Sequence, residues 1–238
     1  MDLFKAWEGR SDKASHMRDP VYNPGLAVHP TDIGFDIDGV VADTMGAFLC
    51  VAREDFGITH VRREHITTYW LEECLPISSD IIGTIIDRLL YDPIGVGLVP
   101  FPGVRSALLA LAQHGPLTFV TARPVGEPIV NWLHKLLPEL PMEHLKVVAT
   151  GHHAAKPEVL MGLGLKCFVE DHLETCRDIG RCGIQPIVFD QPWNQGPDAF
   201  LRVGSWPELV RLIRFLGGQF DVPNQELPHE SDGFLSDE

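Results

Sequence analysis

The sequence predicts an α/β protein, a parallel sheet covered by helices on both faces in three layers (α/β/α), with a small helical segment inserted after the first strand. Three observations predict it. From 101 onward, short apolar runs of strand length alternate with longer runs whose apolar residues recur at helical spacing, the pattern of right-handed βαβ units. The first apolar run, 33–37, is followed by a long stretch, 44–100, that reads as helices alone. Finally, 238 residues, 45% hydrophobic and 22% charged, suit one domain carrying an insertion better than two separate cores, and they exclude a wholly disordered chain.

Taken in order, residues 1–31 mix charges with Pro20, Pro24, Gly25 and Pro30 and show no period, so they form a lead-in segment. The run 33–37 is a strand that must turn at Asp38-Gly39. Within 44–100, helical spacing recurs over 45–56, near 63–75 and over 79–90. In the last of these, Ser78 or Ser79 can N-cap the apolar set Ile81, Ile82, Ile85, Ile86, Leu89 and Leu90. The core resumes with a helix over 103–114 and a strand over 117–121, followed by helix 127–137 and strand 145–149. Helix 157–162, strand 166–170, helix 173–182, strand 186–189 and helix 206–216 complete it. The core unit is therefore expected over 32–43 and 101–217, with a helical cap over 44–100. The segment 218–238 carries Asp221, Glu226, Glu230, Asp232, Asp237 and Glu238, no Lys or Arg and no apolar periodicity, and is expected to be a disordered acidic tail.

Charge bounds the function. Nineteen Lys and Arg stand against 33 Asp and Glu, a formal charge of −14, which disfavours coating a nucleic-acid polymer or an anionic membrane. Any phosphate must be held locally. Five cysteines (Cys50, Cys74, Cys167, Cys176 and Cys182) without C-x-x-C spacing argue against a disulfide framework or a zinc knuckle. The first residues lack an apolar leader and no run is long enough to span a bilayer, so a cytoplasmic location is expected.

The first strand delivers FDIDGVVADT, with Asp36 and Asp38 two residues apart at its C-terminal end, the edge of an open parallel sheet where ligands bind. Two such close carboxylates repel unless a cation or a shared proton compensates. Alone, D-x-D-G is equally a turn. Three further features follow in order, each at a strand end or in the loop beyond one. Thr121 closes the second strand within LTFVTARP, where a hydroxyl and backbone N–H groups can donate to phosphate oxygens. Lys156 precedes Pro157, a residue suited to the first turn of a helix, and so puts an ammonium near a helix N-terminus. Glu170-Asp171 closes the fourth strand with a second acid pair. Singly these read as β propensity, a surface lysine and a helix cap; in combination and order they point to one site. The phosphate loop G-x-x-x-x-G-K, the G-x-G-x-x-G fingerprint, the cysteine-phosphatase C-x5-R and the serine-nucleophile G-x-S-x-G are all absent.

The four features together resemble the haloacid dehalogenase-like (HAD) hydrolase superfamily over about 32–217, which implies a Rossmann-like core with a cap inserted after strand one. By that resemblance Asp36 is the nucleophile that forms an aspartyl-phosphate, and Asp38 is the general acid for the leaving group and then the base for water. Thr121 and Lys156 bind the phosphoryl group. Mg²⁺ is held by Asp36, the Asp38 carbonyl and Asp171, with Glu170 in support. Asp rather than another residue at position 38 suits phosphoryl transfer, because a leaving alkoxide needs a proton. FDIDGVVADT, the VTARP segment, the Lys156 segment and VFDQPWNQ over 188–195 further resemble the 5′(3′)-deoxyribonucleotidase-like branch. Ala122 stands where that branch carries Ser; Arg123 either acts as a phosphate fork in its place or pairs with a neighbouring acid.

In the cap, Phe48, Tyr69 and Trp70 are the aromatic residues that could stack on a nucleobase, or they pack the cap's own interior. The expected partner is thus a small phosphorylated substrate, with a nucleoside monophosphate first, a sugar or other small organic phosphate second, and a catalytically silent scaffold as the reading from another class. Composition does not fix an oligomeric state.

Overall fold

The structure, a computed structural model, describes residues 28–217. Residues 1–27 of the expected lead-in and the expected acidic tail at 218–238 lie outside the described residues. Strands β1 (Ile33–Phe35), β2 (Leu117–Thr121), β3 (Leu145–Ala149), β4 (Cys167–Glu170), β5 (Gln185–Phe189) and β6 (Leu201–Val203) form one parallel sheet in the order β3-β2-β1-β4-β5-β6. Helices α1 (Thr44–Phe56), α2 (Leu71–Cys74) and α3 (Ser79–Tyr91), with a 3₁₀ turn at Arg63–His65, fall between β1 and β2. Helices α4 (Val104–Ala112), α5 (Glu127–Leu136), α6 (Lys156–Gly162), α7 (Leu173–Arg181) and α8 (Trp206–Gly217) make the crossovers and the closing layer.

The α/β fold class holds, with two local differences. The structure has a sixth strand, β6, which sequence pattern does not predict: three residues at a sheet edge are too few to show alternation. The first strand ends at Phe35 rather than at 37, because Ile37 O accepts N–H bonds from Val40, Val41 and Ala42 (3.3, 2.9 and 2.8 Å) and curls the chain into a turn.

That turn is anchored from below. Trp206, fully buried, donates its indole N–H to Val40 O at 2.8 Å, and its ring packs on Phe35, which in turn meets Phe119 (centroids 5.5 and 6.0 Å). Burying each ring stabilises the fold by about 2–3 kcal/mol. On the opposite face Val120, Leu160, Leu165, Phe168, Ile179 and Ile184 form a second apolar layer under α6 and α7. Gly34 in β1 lets that layer close, since a Cβ there would lie 2.7 Å from Leu165 Cδ1.

The inserted segment leaves and returns through paired extended chain: Asp43 N donates to Val99 O at 2.9 Å and Phe101 N to Val41 O at 3.0 Å. Its helices pack on one another through Phe48, Val51, Ile82, Ile85 and Leu89. The strand order reverses direction between β1 and β4, so the C-terminal ends of β2, β1 and β4 meet at the switch point where open α/β sheets bind ligands.

Candidate active site

Register dictates which side chains converge. Phe35 pairs with Phe119 on β2 and with Val169 on β4, so Asp36, Thr121 and Glu170-Asp171 all lie just beyond the same edge. Asp36 stays attached to the sheet through its N–H to Val169 O, 2.9 Å. Its Oδ1 accepts from Ile37 N at 2.7 Å, and its Oδ2 lies 2.9 Å from Lys156 Nζ. Lys156 is fully buried and also reaches Glu170 Oε2 at 2.8 Å. The other oxygen of Glu170 accepts from the N–H groups of Asp171 and His172, both at 3.1 Å.

One ammonium therefore serves two carboxylates, and a third stands beside them. Carboxylate oxygens of Asp36, Glu170 and Asp171 lie within 4.8 Å of one another. Asp171 is buried, its Oδ2 accepts from Trp193 Nε1 at 2.9 Å, and its Oδ1 has no hydrogen-bond partner. Gly39, at φ +77°, makes room for this arrangement: a Cβ there would fall 2.1 Å from Asp171 Oδ2.

The charges sort themselves accordingly. Burial and then the neighbouring Glu170 raise the Asp36 carboxyl well above the ordinary range, and burial followed by Glu170 and Asp36 does the same to Asp171. Glu170 goes the other way: against the burial penalty, Lys156 pulls it down to about 2. Lys156 is held protonated far above its usual value, since Asp36 and Glu170 outweigh burial. With burial and crowding working against ionisation of Asp36 and Asp171, and one buried Asp171 oxygen unpartnered, the three carboxyl groups form an oxygen donor set that a hard divalent cation suits.

Thr121, buried at the end of β2, accepts from Arg123 N at 3.3 Å through Oγ1, leaving the hydroxyl hydrogen to donate. Of the two readings open for Arg123, phosphate fork or partner of an acid, the structure shows the pair with an acid. Its Nε and Nη2 grip Asp38 Oδ2 and Oδ1 at 2.9 and 2.8 Å, while Nη1 donates to Leu89 O and Leu90 O at the end of α3 (2.9 and 3.2 Å). A planar guanidinium meets a carboxylate best in this two-toothed mode, and the buried stem holds it there. Thr44 adds a hydroxyl to Asp38 Oδ1 at 2.5 Å. Against burial, Arg123 and Thr44 together lower the Asp38 carboxyl.

Of the two readings open for Phe48, the structure shows packing inside the insertion. Phe48 is fully buried on α1 within the insertion's apolar interior, so its ring offers no face to a ligand. Tyr69 and half-exposed Trp70, by contrast, line a cleft of about 190 Å³ with Asp171, His172, Leu173, Glu174 and Trp193. Tyr69 donates to or accepts from His153 Nε2 at 2.9 Å and stacks on His172 with centroids 4.1 Å apart, tying the inserted segment to the loops before α6 and α7.

His153 makes this contact pH-sensitive. Burial, and then the nearby Lys156, lower it to about 4, so in the fold it stays neutral where the unfolded chain, below about pH 6.5, takes up a proton. Its contribution to stability is full above pH 6.5 and is lost as pH falls towards 4. Melting temperatures measured across that interval are expected to fall less steeply in His153→Asn than in the wild type; an unchanged slope would place the titration elsewhere.

The sequence does not single out Thr44, Arg63, His172, Gln191, Trp193 or Asn194 as site residues. A usable signal exists for the last three: they follow β5, the strand beside β4, at the ligand-binding edge. Among the described residues no helix is long and apolar enough to cross a membrane.

The family model described as 5′ nucleotidase, deoxy (pyrimidine), cytosolic type C protein matches residues 30–217. A nucleotidase from Clostridium acetobutylicum is 22% identical over 185 residues, covering 76% of this chain and 93% of that protein. Among solved structures, a HAD-family hydrolase from Deinococcus radiodurans with bound phosphate and sodium aligns at TM-score 0.51, 15% identity, over 80% of this chain and 98% of its own. A HAD-superfamily hydrolase from Ehrlichia chaffeensis aligns at TM-score 0.50, 13% identity, over 79% and 98%. These two likenesses are likenesses of fold.

Proposed function

Since the chain belongs to the 5′ nucleotidase, deoxy (pyrimidine), cytosolic type C protein family of HAD hydrolases, and so is a phosphatase by class, we propose that it hydrolyses nucleoside monophosphates with Mg²⁺ through a phosphorylated Asp36. The observation that carries this reading is the buried Asp36–Lys156–Glu170 cluster beside the unpartnered oxygen of Asp171. It is an arrangement that costs stability and calls for a cation and an anionic ligand.

Asp36, Asp171 and the Asp38 carbonyl, with Glu170 in support, would hold the Mg²⁺. When bound, the ion neutralises the charge that otherwise keeps a carboxylate from approaching a phosphate. The Asp36 oxygen forms a bond to phosphorus as the bond from phosphorus to the leaving oxygen breaks, and Asp38 gives that oxygen its proton. In the second half Asp38 takes a proton from water, whose oxygen displaces Asp36 and releases inorganic phosphate. Arg123 and Thr44 keep Asp38 ionised in the free protein, the form that the second half uses. An arriving phosphate, an anion beside a carboxylate, favours the protonated form that the first half uses. Lys156 and the Thr121 hydroxyl face the phosphoryl oxygens and hold them in line.

The segment 44–100 acts as the cap, with Tyr69 and Trp70 bringing an aromatic wall to the cleft beside Asp171. This supports a nucleoside as the leaving group. The test is phosphate release from nucleoside monophosphates, sugar phosphates and p-nitrophenyl phosphate in millimolar Mg²⁺. EDTA is expected to abolish turnover and Mg²⁺ to restore it; indifference to chelation overturns the metal assignment. Trp70→Ala is expected to raise KM for nucleotides by about tenfold, the size of a lost aromatic contact, and to leave that for p-nitrophenyl phosphate nearly unmoved. Equal effects on both overturn the nucleoside assignment.

A further inference from the structure

We infer that Trp193 is a positioning residue for the ion-binding carboxylate: its indole N–H takes one oxygen of Asp171 so that the other is presented, free, to the cation. The inference rests on the reading of Asp171 as a Mg²⁺ holder, and it concerns a residue to which neither the fold nor that reading gives a role.

Three observations carry it. First, the two oxygens of Asp171 are inequivalent. Oδ2 is 2.9 Å from Trp193 Nε1, whereas Oδ1 is buried with no partner, in a residue whose carboxylate stands in one cluster with those of Asp36 and Glu170. A carboxylate with both oxygens free could turn about its terminal torsion; one fixed by a donor on Oδ2 cannot turn without losing a hydrogen bond in a buried site. Second, the indole itself is wedged. Arg63 lies over its ring at 5.7 Å, and a Cβ on Gly39 would come within 3.2 Å of its Cζ2. With Arg63 over its ring, Gly39 beside it and its N–H turned to Asp171, Trp193 is placed as a donor to that carboxylate.

Third, the whole loop after β5 is wired to the same residue. Asn194 Nδ2 donates to Asp171 O and to Phe189 O, both at 2.8 Å, and Asn194 Oδ1 accepts from Gln191 N at 3.0 Å. Gln191 Nε2 donates to Gly39 O at 2.7 Å, and its Oε1 accepts from Arg63 Nη2 at 2.8 Å. Asp171 is thus gripped at its backbone by Asn194 and at its side chain by Trp193, while Arg63, which also pairs with Asp43, braces the indole from the inserted segment. Groups behind a metal ligand set its orientation, and their removal commonly weakens metal binding by about 10–100-fold.

The test is Mg²⁺ binding to the full chain by titration calorimetry, with the metal alone and no substrate. Trp193→Phe, which keeps a ring and removes the N–H, is expected to raise the Mg²⁺ Kd by about tenfold or more. Its turnover should recover as Mg²⁺ is raised. Trp193→His, which keeps a ring N–H, should bind more tightly than Trp193→Phe. In the wild type, the Trp193 indole N–H resonance should shift along the same Mg²⁺ isotherm, a readout that requires no variant to fold. A wild-type Kd in Trp193→Phe, or an indole resonance unmoved while Mg²⁺ binds, overturns the role of Trp193 and leaves Asp171 as ligand. Absence of Mg²⁺ binding to the wild type, or an Asp171→Asn variant that binds as well as wild type, overturns the metal reading itself and the inference with it.

Discussion

Asp36→Asn is expected to lower phosphate release by about 10⁴-fold or more while leaving the melting temperature close to that of the wild type. The loss of rate follows from the chemistry proposed for the site. An amide has no anionic oxygen to attack phosphorus, and Asp38, gripped by Arg123 and Thr44, is not free to move into its place. The small effect on stability follows from two opposed terms. Asn loses the acceptor that faces Lys156 Nζ at 2.9 Å, a charge-assisted bond. It also removes one of two carboxylates crowded on a single buried ammonium, leaving Lys156 and Glu170 as a balanced pair.

A pH signature separates this variant from a merely damaged one. Because the folded-state carboxyl of Asp36 is raised by burial and by Glu170, the folded protein binds more protons than the unfolded chain above the ordinary carboxylate range, and stability falls as pH rises through that interval. Asp36→Asn should lose its share of this fall when melted without divalent ions. Turnover retained by the variant would remove Asp36 as nucleophile. A lowered melting temperature with an unchanged pH slope would show that Asp36 matters to the fold rather than to the charge balance.

Much of this site is visible in the chain because its parts are tied to periodic elements. Asp36, Thr121, Lys156 and Glu170-Asp171 each sit at a strand end or a helix start, and apolar alternation locates those boundaries from local sequence. Parallel pairing then brings them to one edge without further information. What stays hidden depends on distance in sequence. Arg123 reads equally as a phosphate fork or as an acid's partner until Asp38 and the carbonyls of Leu89 and Leu90 are placed around it, 85 and about 33 residues away in the chain. Phe48 has the same identity and spacing whether it faces a ligand or the insertion's interior, and only the packing of α1 against α3 turns it inward. Trp193 lies in a single 3₁₀ turn, Pro192–Asn194, whose hydrogen bonds run to Asp171 and, through Gln191, to Gly39; three residues are too few for a period to mark it. The composition, with its formal charge of −14, disfavours polyanion coating but says nothing of local charge; among the described residues Lys156 is a fully buried ammonium, the kind of group through which an acidic chain can hold a small anion.

Lys156→Met is expected to be the most disruptive single substitution in the site, abolishing turnover and destabilising the fold by about 3–5 kcal/mol at neutral pH. Methionine fills the same space, so lost packing is a minor part of the effect. What remains is Asp36 and Glu170, both buried, without the cation that lies 2.9 and 2.8 Å from them. The loss should depend on pH in a definite direction. In the wild type Glu170 is held down to about 2 by Lys156, so the pair contributes fully above the ordinary glutamate value and fades as pH falls towards 2. In Lys156→Met the unpaired carboxylates take up protons at higher pH, and the gap between the two proteins in urea unfolding should close on acidification. Adding Glu170→Gln to Lys156→Met removes one of the two stranded carboxylates and is expected to restore part of the stability, since replacing both members of a buried pair is far gentler than removing one. It should restore none of the activity, because the phosphoryl oxygens still lack their ammonium. A double variant no more stable than Lys156→Met would show that stranded charge is not what the single substitution exposes, and activity regained in either protein would remove Lys156 from the phosphate site.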